Sequence, residues 1–274
     1  MKKFISGIFA MLCLLVCLMP VAAQSSKNSI PELDFNKAYE DYLYNYNLYS
    51  EAHKEYQLAK NQYQTYQTLT AKTIALEQTA KMLVLRNEVI ATFLNTIRAK
   101  MAQETNIANI SLNTLYVQLD KEVTWFLDNK EALASAGTIP DLIRLSDETQ
   151  THYQKTETLL YQSLLEVFFF KETDLRTKIE AQITNLEKLI AEIRANGDKD
   201  PTKIERWLIE AKNKKDRSDE KYLEAKNIKI SSSNRGSSLS SFNTAKQLLE
   251  ESHQYLRETN LNLIETVKEI KRSD

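Results

Sequence analysis

The chain has 274 residues with 36 Lys and Arg against 37 Asp and Glu, and its net charge of −1 argues against nucleic acid as a partner, which would need a concentrated basic surface. Four glycines and four prolines are far below the usual usage of about 7% and 5%. The tight backbone approaches of phosphate-cradling loops and nucleophile elbows are therefore scarcely available, and neither motif occurs.

The first element reads as an export signal. Lys2 and Lys3 precede an apolar run from Phe4 to Met19, then Pro20 and Val21-Ala22-Ala23, with cleavage expected after Ala23. The run is short for a spanning helix, which sets cleavage above the rival reading of a retained N-terminal membrane anchor. Val16 precedes Cys17 where a lipoprotein signal wants a small residue. Both cysteines, Cys13 and Cys17, lie inside residues 1–23, so the mature chain forms no disulfide and no thiolate metal site. Cleavage removes Lys2 and Lys3 and no acid, leaving 34 of the 36 basic residues against 37 acidic ones, a charge of −3. No second apolar run of about 18 residues follows. A soluble protein of the bacterial periplasm, cell surface or exterior is expected.

Five helices follow: A over 31–104, B over 111–135, C over 139–195, D over 201–229 and E over 241–271. Ser29-Ile30-Pro31-Glu32 and Thr138-Ile139-Pro140-Asp141 have capping-box spacing with a proline tolerated in the first turn. Gly137 and Gly197 stand where left-handed residues would close B and C, and Asp200-Pro201 would open D. The stretch SSSNRGSSLSS, 231–241, reads as a flexible link. In A, Leu69, Leu76, Leu83, Ile90 and Ile97 recur every seven residues, with Thr73, Ala80, Asn87, Leu94 and Met101 between them, the a/d pattern of a coiled coil. Further stripes run from Leu159 to Ile193 in C, from Ile204 to Ala225 in D, and through Phe242, Ala245, Leu249, Leu256, Leu263, Val267 and Ile270 in E. At 1.5 Å per residue A would be roughly 110 Å long and C roughly 85 Å. The fold class is all-α, an extended antiparallel helical bundle or coiled coil. Residues 24–174 form a first bundle of A, B and the first half of C; residues 175–274 form a second of the rest of C with D and E.

Little in the sequence points to catalysis. Three histidines, His53, His152 and His253, are scattered, and the Glu-x-x-His of Glu250 to His253 lacks the second copy that a di-iron bundle requires. No cofactor, metal or catalytic residue is assigned, and the chain reads as non-enzymatic. The run Val167-Phe168-Phe169-Phe170 covers more than one helix face and suits a junction between the bundles. KNKKDRSDEK, 212–221, reads as a solvated helix face with local ion pairs. Asn87, within the heptad seam, is placed to fix register or oligomeric state.

The candidate interaction residues are tyrosines. AYEDYLYNYNLYSEAHKEYQLAKNQYQTY carries eight tyrosines between residues 38 and 66. Tyr42, Tyr49, Tyr56 and Tyr63 are seven apart, and Tyr39 and Tyr46 adjoin that row, so six make one helix stripe. Tyr44 faces the other way, and Tyr66 leads toward the leucine seam, whose phase slips by one residue between Tyr63 and Leu69. A tyrosine seam buries the ring and keeps the hydroxyl at a wet boundary. Because B would cover only about the last 25 residues of A, the stripe is left without an internal partner. It would then recruit a second copy, a helical protein or the sugar rings of a cell-wall polymer.

The segment YQTYQTLTAKTIALEQTAKMLVLRNEVIATFL, with the preceding tyrosine stripe, resembles uncharacterised exported helical proteins of small-genome bacteria over residues 34–104. That resemblance implies no activity and no site residues. Leu186 to Leu256, with its Gly-x-x-Asp-Pro break, resembles a generic bacterial helical hairpin. The leading expectation is an exported structural or protein-interaction protein of the cell envelope, a helical rod or scaffold acting through residues 38–66. The alternatives are a ligand- or glycan-binding, sensor-like bundle and a periplasmic-type holdase chaperone.

Overall fold

Helix A is not continuous. The structure, a computed structural model, describes residues 34–104, 110–197, 201–231 and 236–272, and these contain six helices and no strand. Helix α1 (Phe35–Tyr66) opens at Asp34, whose carboxylate accepts from the Asn36 N–H at 2.8 Å. The capping box expected at Ser29 to Glu32 lies outside the described residues. Helix α1 closes at Gln67, a non-glycine residue held left-handed at φ 50°, whose N–H donates to the Tyr63 carbonyl at 3.0 Å. Thr68 then starts α2 (Leu69–Glu104), its hydroxyl oxygen accepting from the Ala71 N–H at 3.2 Å. Two residues thus reverse a chain that was expected to run straight.

Cross-contacts show that α1 and α2 are antiparallel. Glu55 pairs with Lys81 at 2.8 Å, the Tyr42 and Phe93 rings are 5.3 Å apart, and the Thr96 hydroxyl donates to the Ala38 carbonyl at 2.9 Å. The Lys100 ammonium lies 4.7 Å from the Phe35 ring. As one number rises the other falls, and every pair is centred on the 67–68 junction. On α1 an aromatic row (Phe35, Tyr42, Tyr49, Tyr56, Tyr63) alternates with a small row (Ala38, Asn45, Ala52, Ala59), each with a seven-residue repeat. The small residues let the helices approach while the rings fill the space between them.

Helix α3 (Ile110–Ala134) runs back along α2, tied by Arg98 to Asp120 at 2.7 Å and by Lys130 to Glu88 at 2.6 Å. Helix α4 (Ile139–Asn196) starts at Thr138, whose side chain accepts from the Asp141 N–H at 3.3 Å as expected, while the Asp141 carboxylate accepts from the Thr138 hydroxyl. Gly137, however, is not left-handed, because the chain leaves α3 through residues 135–138 without reversing φ. Early in α4, Ser146 meets Arg86. These contacts explain a gradient along the leucine seam of α2. Leu83, Ile90, Leu94, Ile97 and Met101 are buried, whereas Leu69 is 80% exposed, because α3 and α4 reach α2 only from about its middle onward.

The 58 residues of α4 make it about 87 Å long. Its second half meets α5 (Thr202–Lys226), which runs antiparallel to it: Glu187 pairs with Lys212 at 2.8 Å, and Thr173 bonds Tyr222 at 2.9 Å. Helix α6 (Ser237–Arg272) is parallel to α4, through Thr158 to Ser238 at 2.9 Å and Ser252 to Glu172 at 2.7 Å. It is antiparallel to α5, through Lys214 to Glu258 at 2.7 Å. Ile179, Ile183 and Ile190 of α4, Ile204 and Leu208 of α5, and Leu256 and Leu263 of α6 share one apolar core. The buried residues of α6 recur at alternating spacings of four and three: Ser238, Phe242, Ala245, Leu249, Ser252, Leu256, Thr259, Leu263 and Thr266. Thr266 therefore holds the place expected of Val267, which is 38% exposed. Gly197 closes α4 at φ 70° as its position predicts. Asp200 lies outside the described residues, and residues 237–241, expected as link, already belong to α6. The phenylalanine run packs on α5 and α6, and Thr158 already meets Ser238 of α6 earlier in α4. Phe168 faces Phe242 of α6 at 6.4 Å, and Phe169 meets Tyr222 of α5 at 5.5 Å.

Candidate functional site

The tyrosine stripe is largely an internal surface, because the C-terminal part of the expected helix A turns back as α2 and covers it. Tyr42 and Tyr49 are buried, and Tyr39, Tyr46, Tyr56 and Tyr63 are half-buried. The rings form a ladder: Phe35 stacks on Tyr39 at 6.0 Å, Tyr39 on Tyr42 at 6.4 Å, and Tyr42 tilts toward Tyr46 at 6.1 Å. His53 continues it between Tyr49 and Tyr56, at 5.7 and 5.9 Å. The expectation that this stripe lacks an internal partner is therefore corrected. Tyr44, assigned to the opposite face, is indeed exposed, and Tyr66, expected to enter the leucine seam, is 69% exposed at the turn.

A charge lies beside the ladder. Burial raises the Tyr49 hydroxyl above its ordinary range, opposed by the nearby Arg86 guanidinium. Burial also lowers the pKa of Arg86, against the attraction of Tyr49 and Asp147. Its hydrogen bonds to the Ser146 carbonyl and hydroxyl, at 3.5 and 3.4 Å, are long. Arg86 thus lies beside the stripe and reaches from α2 to Ser146 of α4. Asp147 also lines an open groove where α4 passes α3.

In that groove Trp125 of α3 stacks on His152 of α4, with ring centres 3.6 Å apart and planes 10° apart. Glu122 orients the imidazole, its carboxylate 2.8 Å from Nε2, and also accepts from the Thr156 hydroxyl. Pro140 and Ile143 add apolar surface, and Arg144 pairs with Glu148 at 2.7 Å. Glu122 and His152 are thirty residues apart on different helices, and no motif in the sequence announces them.

The second polar centre joins α4, α5 and α6. Glu172, buried, accepts from the Ser252 hydroxyl at 2.7 Å, and Ser252 shares a 2.9 Å hydrogen bond with Ser218. Arg176 donates to Ser218 at 3.0 Å and pairs with Asp219, while His253 sits 3.2 Å from the other Glu172 oxygen. His253, expected as a surface histidine, is half-exposed and half engaged. Burial lowers the pKa of Arg176, and Glu172 is the largest opposing influence. Each polar group here spends its bonds on a neighbouring helix, which suits a structural tie better than an activated nucleophile. Among the described residues no group of three or more His, Cys, Asp or Glu is placed to hold a metal ion, and no helix is long and apolar enough to cross a membrane. Compared with protein-family models, with curated proteins and with solved structures, the chain matches none.

Proposed function

We propose that the chain is an exported, non-enzymatic structural or interaction protein of the bacterial cell envelope, a helical rod or scaffold of two consecutive bundles. The observation that carries this reading is α4. One helix of about 87 Å packs against α2 and α3 near its start, against α6 from Thr158 onward, and against α5 further along. A helix of that length exceeds the diameter of a small domain and suits a protein that spaces or presents surfaces. Interhelical ion pairs such as Lys214 to Glu258 and Lys130 to Glu88, together with the Glu172 centre, hold elements in register. The resemblance of residues 34–104 to exported helical proteins points the same way.

The partner surface shifts from the tyrosine stripe to outward positions. Deleting residues 31–66 would strip α1 from α2 and expose an apolar seam, so truncation is a poor test. Photo-crosslinking residues placed at Tyr44 and Leu261, both exposed, should give covalent adducts with envelope proteins, whereas the buried Tyr42 position should give none. Cell fractionation and N-terminal sequencing should find the chain outside the cytoplasm, cleaved after Ala23. An uncleaved cytoplasmic chain with no adduct at any exposed position would sink the proposal.

A further inference from the structure

The α1–α2 hairpin carries exposed apolar groups at its free end. Leu58, Tyr66 and Leu69 are 62%, 69% and 80% exposed, and α3 and α4 pack on α2 only nearer its middle. The same end is free of negative charge: residues 56–76 contain Lys60 and Lys72 and no Asp or Glu, in a chain whose acids and bases otherwise balance. Glu55, the acid bordering it on α1, pairs with Lys81 at 2.8 Å, and the exposed Glu77 borders it on α2. Among the described residues neither lysine of the tip forms an ion pair; Lys60 lies 5.8 Å from the Tyr56 ring, and Lys72 is exposed.

We propose that this hairpin end rests on an anionic lipid surface, with Leu58, Tyr66 and Leu69 in the headgroup region and Lys60 and Lys72 against lipid phosphates. Tyrosine and leucine flanked by lysine suit the membrane–water boundary, where a ring or alkyl group enters the interface and an ammonium group meets anionic headgroups. A second copy is the poorer occupant, because two such tips would bring four lysines together with no carboxylate between residues 56 and 76 of either copy. Each lysine near an anionic surface contributes on the order of fivefold in affinity, so binding is reversible and depends on salt.

The proposal rests on the reading of an exported envelope protein, and its test is local to the tip so that the apolar N-terminus does not obscure the result. Full-length protein carrying C13S/C17S and T70C, labelled at residue 70 with a polarity-sensitive dye, is titrated with vesicles of phosphatidylcholine, with and without phosphatidylglycerol. Expected is a saturable blue shift with phosphatidylglycerol vesicles, weakened on the order of 25-fold by K60Q/K72Q and also weakened by Leu69→Ser. The absence of a shift, a shift unaffected by both variants, or a shift that follows protein rather than lipid concentration overturns the proposal; the last would indicate a second copy. An exported chain whose tip ignores lipid overturns this inference alone, and a cytoplasmic chain whose tip binds vesicles overturns only the export reading.

Discussion

The α1–α2 and α5–α6 hairpins use the same heptad geometry with different chemistry. Both alternate a row of large residues with a row of small ones. In α1 the large row is aromatic and the small row mainly alanine; in α6 the large row is Phe242, Leu249, Leu256 and Leu263, and the small row includes Ser238, Ser252, Thr259 and Thr266. The first hairpin turns in two residues and ends in an uncovered tip. The second lies along α4 and is bound to it through a buried carboxylate and its hydroxyl partners. Ring packing closes a hairpin on itself, whereas shared hydroxyls and charges tie one to a third helix.

The largest expected effect tests the ring ladder. Tyr42→Ala should cost about 3–5 kcal/mol, as large-to-small changes at buried aromatic sites do. Hydrogen exchange should then show α1 and α2 loosened and α5 and α6 protected as before; equal loosening would deny that the hairpins are separately stabilised. Ser252→Ala should cost about 1–3 kcal/mol by leaving Glu172 and Ser218 short of a partner, with faster exchange confined to α4–α6. Asn87→Leu should act in the opposite direction. Asn87 is 0% exposed with neither side-chain amide atom hydrogen-bonded, so the substitution should stabilise by on the order of 1–3 kcal/mol in chemical denaturation. If it instead changes oligomeric state, the residue specifies register. Gln67→Gly relieves the left-handed conformation at the turn, and a gain of about 0.5–1 kcal/mol is expected.

The smallest effect depends on pH. Burial raises the pKa of Glu166, only partly offset by Lys226, so the folded state prefers the neutral acid and loses stability as pH rises through the carboxylate range. Glu166→Gln should therefore raise the melting temperature at neutral pH and leave it unchanged at about pH 4. An equal rise at both would assign the gain to packing.

Helix identity was largely legible because apolar periodicity and sparse punctuation are local signals. The Thr138 box, the Gly197 stop and most of the stripes of α4 and α5 follow from them. The reversal at Gln67 and Thr68 carries no glycine or proline signal. Its trace was present in the one-residue slip between Tyr63 and Leu69, which read as drift along one helix and is where two helices meet. Taken as one helix, the segment leaves six tyrosines without a partner. Trp125, His152 and Glu122 were illegible for another reason: their chemistry arises only once α3 and α4 are side by side.

The central claim, that the tyrosine stripe is the inner seam of a hairpin, is tested most directly by one distance. Spin labels replacing Glu55 and Lys81, in a C13S/C17S background diluted with unlabelled protein, should lie within about 20 Å of each other across the antiparallel pair, allowing for the reach of the labels. One uninterrupted helix would hold them about 39 Å apart, and that distance would contradict the account.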